Sequence, residues 1–201
     1  MNKFDLSRKW GILDPEGEGY NPLTGREYKN FYIKDPEELK NYKDYAFRYE
    51  NGEETGWSTL PVYEKAKEII TEISNRQIIL AVAGTGSGKT VLLPKFALHT
   101  LNYKGRVLVT IPQTTSVETT AKYAAKCMDV KLGNKIGYFH GQTDSNFRGD
   151  ILNYTTTGSF TKILQNPKDP YLKRKENNYN IIIIDEAHQR AVEMDELLLL
   201  V

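Results

Sequence analysis

The stretch AGTGSGKT at residues 83–90 constrains this chain more than any other. It follows the apolar run IILAV (78–82) and precedes TVLLPKFALHTLN, so it joins a buried-strand pattern to a helix pattern. Gly84, Gly86 and Gly88 let the backbone turn tightly, so that successive N–H groups face inward. A helix starting near Lys89 adds its positive dipole end. Such a concavity suits phosphate oxygens, and the pattern matches a phosphate-binding loop with Ala83 in place of the first glycine. On that reading Gly84, Thr85, Gly86, Ser87 and Gly88 cradle a nucleoside triphosphate. Lys89 reaches its β- and γ-phosphates, and the Thr90 hydroxyl ligates Mg²⁺. A glycine-rich turn with an exposed lysine would share the composition but not the flanking strand and helix.

A second motif, IIIIDEAHQR at 181–190, places acids just past four isoleucines, at the carboxyl end of an expected central strand. Open α/β sheets hold ligands at that end. Asp185 suits the Mg²⁺ of a bound nucleotide, and Glu186 suits the orientation and deprotonation of an attacking water. Taken alone, Asp-Glu after apolar residues is equally a surface turn. Beside the glycine loop it gains meaning, because neither site hydrolyses a nucleotide by itself. His188 has no Cys or His cluster around it, which favours a coupling hydrogen bond over metal ligation.

The rest of the chain supplies a frame for these motifs. Val62, Ala66, Ile69, Ile70 and Ile73 recur at helical spacing. RVLVT (106–110), KIGYFH, ILNYTT and the isoleucine run read as strands, with TSVETTAKYAAKCM and AVEMDELLLLV as helices. Alternating strands and helices predict an α/β fold with a mostly parallel sheet flanked on both faces. Residues 1–60 differ: they are loop-rich, with turn signals at DPEGEG and NPLTGREY. Asp35, Pro36 and Glu38 there mark a short helix over 35–47. The domain plan is therefore an irregular extension (1–60) and one α/β domain (61–201).

Composition excludes several classes. An apolar content of 39% and a charged content of 26% place the chain among soluble globular proteins. No apolar run approaches a bilayer span, and the amino terminus lacks a signal-peptide core. A single cysteine, Cys127, rules out an internal disulfide framework and fits a reducing, intracellular compartment. Residues 1–60 carry 9 basic and 12 acidic side chains, so the small net positive charge resides in the later part. That favours an anionic partner only weakly.

The motifs together resemble the first RecA-like motor domain of superfamily 2 helicases of the DEAH/RHA type. AGTGSGKT is similar to that family's motif I, and DEAH matches the core of motif II. VLVTIPQTTSVETTAKYAA sits where motif Ia belongs, IGYFHG is similar to the segment after the following helix, and YTTTGSF resembles motif Ib. The resemblance covers residue 61 to the end. It implies a RecA-like P-loop NTPase domain that uses ATP or another NTP with Mg²⁺. It also implies a single-stranded nucleic-acid partner, RNA above DNA, held along its sugar-phosphate backbone by Thr110, Gln113, Thr156 and Gly158. Strand-end capping is the alternative role for those threonines. The family's base-stacking arginine falls by spacing on Tyr123, whose ring could stack instead.

Two departures qualify this. Motif Ia usually reads Pro-Arg-Arg, and here it is Pro112-Gln113-Thr114, which weakens phosphate attraction. The family's second RecA-like domain, with its arginine fingers, is expected elsewhere in a longer chain. The resemblance further implies a cytoplasmic or nuclear site of action without a membrane, and the irregular motif Ia is similar to divergent members such as those of large DNA viruses. A DNA translocase or restriction-type motor subunit shares the Asp-Glu-x-His core. A non-motor nucleotide-binding regulatory module would not need Lys89, Asp185 and Glu186 intact.

Overall fold

The computed structural model describes residues 21–25, 49–50, 53–54, 59–128, 130–141, 147–166, 168, 178–189 and 192–201. The helix expected over 35–47, the DPEGEG turn and Arg190 lie outside these residues. The chain falls into two compact units, Met1–Tyr103 with Lys126–Val130, and Lys104–Ala125 with Lys131–Val201.

In the first unit the NPLTG turn forms as its residues dictate. The Asn21 side chain accepts from the Leu23 amide (2.9 Å), and its carbonyl accepts from the Gly25 amide (2.8 Å), with Gly25 at φ 66°. The Asn21 amide group in turn donates to the Met128 carbonyl at 3.0 Å. A short antiparallel pair follows, β1 (Tyr49–Glu50) with β2 (Glu53–Glu54).

Pro61, with φ already fixed, starts a 3₁₀ turn (Pro61–Lys65) that runs into α1 (Ala66–Asn75). The expected apolar stripe is buried at Val62, Ala66 and Ile70 and half-buried at Ile69 and Ile73. α2 (Lys89–Thr100) is buried along most of its length, from Leu92 to His99. Pro94 sits within it, and the buried Lys95 ammonium donates to the Val91 carbonyl at 2.9 Å. The helix stops where Asn102 and Tyr103 take left-handed backbone, their amides closing on the His99 and Leu98 carbonyls (both 2.9 Å).

The second unit is built on β3 (Val107–Ile111), followed by α3 (Thr114–Cys127), β4 (Ile136–Phe139), β5 (Leu152–Thr156), α4 (Thr157–Gln165), β6 (Ile181–Ile184) and α5 (Val192–Leu200). The strands form one parallel sheet in the order β4-β5-β3-β6. Near-continuous apolar strands are what a parallel sheet requires, because helices cover its faces. β3, β4 and β5 are buried throughout, whereas β6 at the edge is half-buried. Leu108, Phe139, Phe160 and Leu197 form a core against which Ile182, Ile184 and Ile163 pack. The parallel α/β architecture expected from the alternation is therefore present. No helix among the described residues is long and apolar enough to cross a membrane.

One strand is not where its sequence placed it. Residues 78–82, IILAV, form no ladder, and Ile78, Leu80 and Val82 are 87%, 83% and 85% exposed. An apolar run signals a need for cover but does not carry its own partner. A strand exists only when a neighbour takes its alternating N–H and C=O groups. Among the described residues the run joins no ladder, and it remains open.

β4 and the segment after it cross at a backbone-to-backbone approach that only glycine permits. A Cβ on Gly137 would fall onto the Phe147 carbonyl and the Gly149 amide. Asn153 holds that crossing, accepting from the Gly149 amide (2.8 Å) and donating to its carbonyl (2.7 Å). Gly137→Ala should therefore lower the unfolding free energy by about 3 kcal/mol, read as an earlier denaturant midpoint. An unshifted midpoint would mean that the 147–149 segment can move aside at no cost.

Candidate functional site

The glycine loop lies in the first unit. Gly86 (φ 77°) and Gly88 (φ 93°) adopt left-handed backbone, and Gly88 is the residue preceding α2. A side chain at Gly88 would also strike Leu60, 2.8 Å from the Cβ position. The loop is tied to the preceding helical turn by the Val62 amide, which donates to the Ser87 carbonyl at 3.1 Å. Ser87 is buried, and its hydroxyl has no hydrogen-bond partner among the described residues.

Lys89, the first residue of α2, donates from Nζ to the carbonyls of Ala83 (2.6 Å) and Gly84 (2.9 Å). Its ammonium thus sits over the loop. The donors gathered here are that ammonium, the first-turn amides of α2 and the Ser87 hydroxyl. No carboxylate is among them, and the set fits a phosphate group. Thr85 is exposed and Thr90 half-buried.

The acidic motif lies in the second unit, where the β3–β6 ladder runs out. The Asp185 amide donates to the Thr110 carbonyl at 3.0 Å, carrying the pairing one residue beyond Ile184. Asp185 Oδ1 accepts from the Glu186 amide at 3.0 Å. Glu186 itself has φ 55°, a left-handed conformation that costs a non-glycine residue about 1–3 kcal/mol. This break in strand geometry separates the backbone environments of the two adjacent carboxylates. His188 Nε2 lies 3.3 Å from Glu186 Oε2, a contact within the motif. Among the described residues no group of three or more His, Cys, Asp or Glu could hold a metal alone. A divalent ion here needs oxygens from a ligand as well.

A cavity of about 270 Å³ opens beside the start of α4 in the same unit. Thr156 caps that helix, its Oγ1 accepting from the Ser159 amide (3.2 Å) and donating to Ser159 Oγ (2.6 Å). Thr157, Gly158, Ser159 and Lys162 continue the lining, facing Pro112, Thr114 and Glu193. Thr157 is 4% exposed, and its hydroxyl has no partner among the described residues.

Of the four residues expected to touch a strand, Thr156 and Gly158 line this cavity, whereas Gln113 is exposed between two lining residues. Thr110 is fully buried: its carbonyl accepts from the Asp185 amide, and its hydroxyl has no partner among the described residues. Thr157, Ser159, Lys162 and Glu193 were not singled out from sequence. Ser159 was legible as the partner of a Thr-x-x-Ser cap, but Glu193 comes from α5 and only folding brings it here.

Tyr123 is 51% exposed on α3. Its neighbour Lys122 pairs with Glu118, and that hydrogen bond holds the Glu118 carboxyl below its ordinary range.

The strained backbone at Glu186 generates a stability prediction. Glu186→Gly should raise the unfolding free energy by about 1 kcal/mol, since glycine adopts φ 55° without the steric penalty but loses chain entropy on folding. A lower stability in chemical denaturation would show that the contact with His188 outweighs the strain.

Comparison with known proteins bears on what these sites belong to. The DEAD/DEAH box helicase family profile matches residues 63–198. A protein of Acanthamoeba polyphaga mimivirus named as an ATP-dependent RNA helicase is 37% identical over 193 residues, 95% of this chain and 24% of that protein. The pre-mRNA-splicing factor ATP-dependent RNA helicase DEAH10 of Arabidopsis thaliana is 35% identical over 71% of this chain and 19% of its own length. A protein of Rattus norvegicus named as the ATP-dependent RNA helicase DHX40 is 30% identical over 81% of this chain and 21% of that protein. The chain thus spans a quarter or less of the length of these relatives. With motifs I and II inside the matched span, the chain belongs to the DEAD/DEAH box helicase family.

Proposed function

We propose that this chain is the ATP-binding first motor domain of an RNA helicase, which couples nucleotide hydrolysis to movement along RNA and its unwinding. The observation that carries this is the donor set of the glycine loop. An ammonium rests on two neutral carbonyls, and the same loop holds a buried hydroxyl that has no partner among the described residues. Phosphate oxygens are charged acceptors and draw such donors more strongly than carbonyls do.

In this reading the amides of residues 84–88 cradle the triphosphate, and Lys89 neutralises its β- and γ-oxygens. Thr90 and Asp185 would hold Mg²⁺, completed by phosphate oxygens and water. When bound, the ion offsets charge between the β- and γ-phosphates. Glu186 would take the proton of the attacking water, with His188 as its neighbour. Tyr123 would stack on the base. Thr156, Gly158 and Gln113 would hold the backbone of a single strand, through the cap of α4 and the loop before α3.

RNA is favoured over DNA because all three relatives are named as ATP-dependent RNA helicases. Their greater length supports a second RecA-like domain, elsewhere in a longer chain, that supplies arginines to the transition state. The family match starting at residue 63 supports an amino-terminal extension over 1–60 and a motor domain over 61–201. An intracellular site of action, in cytoplasm or nucleus, fits RNA as the partner.

Lys89→Ala in the full-length protein should cut ATP turnover about a hundredfold or more, and undiminished turnover would overturn the motor reading. RNA strands should stimulate that turnover more than DNA strands of the same sequence. The reverse order would favour a DNA translocase. Tyr123→Ala should raise the nucleotide KM about fivefold or more, and an unchanged KM would remove the ring from the site.

A further inference from the structure

The cavity at the start of α4 contains one group of the wrong sign for a phosphate site. Its polar lining consists of Thr114, Thr156, Thr157, Ser159 and Lys162, together with the carboxylate-bearing Glu193. Glu193 is the second residue of α5, and its Cγ lies 3.6 Å from where a Gly158 Cβ would be, so the side chain packs over the first turn of α4. Its backbone is fixed there by Thr161, whose hydroxyl donates to the Glu193 carbonyl at 3.1 Å. No ion pair links Glu193 to Lys162 among the described residues.

An ionised carboxylate only accepts hydrogen bonds. A deoxyribose-phosphate backbone within a strand offers only acceptors, so beside it Glu193 is repelled and unsatisfied. Ribose adds one donor per nucleotide, the 2′-hydroxyl, and that group distinguishes RNA from DNA at a protein surface. The Thr157 hydroxyl and the capped start of α4 present donors suited to a phosphate. The group covalently next to that phosphate, within reach of a side chain crossing the same helical turn, is the sugar.

We propose that Glu193 is a specificity-determining residue that accepts a hydrogen bond from a ribose 2′-hydroxyl and thereby selects RNA over DNA. This rests on reading the cavity as the strand site. Removing the carboxylate removes both the favourable contact with RNA and the repulsion of DNA.

The test uses the full-length protein and fluorescence anisotropy with three labelled strands of one sequence: RNA, DNA and fully 2′-fluoro RNA. Fluorine keeps the sugar's polarity but cannot donate. The wild-type protein should bind RNA more tightly than the 2′-fluoro strand. Glu193→Ala should lower that preference about tenfold, while Glu193→Gln, which keeps an acceptor oxygen, should retain most of it. An unchanged preference in Glu193→Ala overturns the proposal. So does a loss of thermal stability without a change in preference, which would leave Glu193 only its place in the first turn of α5.

Thr157→Val and Lys162→Ala separate this outcome from failure of the underlying reading. If they weaken all three strands alike while Glu193→Ala leaves the preference intact, the cavity still binds the strand and only the Glu193 role falls. If they weaken none, the strand site is elsewhere and both fall.

Discussion

The register of β3 fixes everything of chemical interest in the sheet unit. β3 is paired in parallel on both sides, with Thr110 opposite Thr155 on β5 and Ile184 on β6, and Ile111 opposite Thr156. The three strands therefore end together. On one side the next residue is Asp185, whose amide closes on Thr110. On the other it is Thr157, which opens α4 behind the Thr156 cap. A slip of one residue would exchange the faces of every β3 side chain and carry both strand ends out of alignment. The carboxylate motif and the cavity are thus two consequences of one ladder, at the end of the sheet where parallel α/β folds place their ligands.

Four buried hydroxyls follow the same logic. Ser87, Thr110, Thr155 and Thr157 are buried, and their side-chain oxygens have no partner among the described residues. Each such group costs about 1–3 kcal/mol when left unpaired. All four belong to the glycine loop or to the ends of β3 and β5, within the segments that resemble motifs I, Ia and Ib. The cost is thus concentrated in the glycine loop and at the ends of β3 and β5, where unspent hydrogen-bonding capacity remains.

Much of this was legible in the sequence, and the failures have physical reasons. The glycines at 86 and 88 announced left-handed backbone, the isoleucine run announced a strand, and the alternation announced a parallel sheet. Each of those signals is local. The burial of Thr110 was not legible, because its neighbours place it at a strand end but do not say which way the end is covered. Residues 78–82 misled because hydrophobicity specifies demand for a partner and not its presence. Glu193 gave no signal, since its meaning depends on α4 and α5 meeting across a span of chain that no periodicity connects. The left-handed Glu186 was equally silent, because nothing about glutamate favours that conformation.

The resting contacts of Lys89 have a consequence for selectivity among anions. Because the ammonium already rests on two carbonyl oxygens, an incoming ion gains only the difference between those bonds and its own. A small monovalent anion such as chloride offers a single charged centre and little surplus over that exchange. A polyphosphate brings several charged oxygens at once and can engage the helix amides while it displaces the carbonyls. On the proposed reading of the loop, the lysine would act as a threshold that favours multivalent phosphate over monovalent salt.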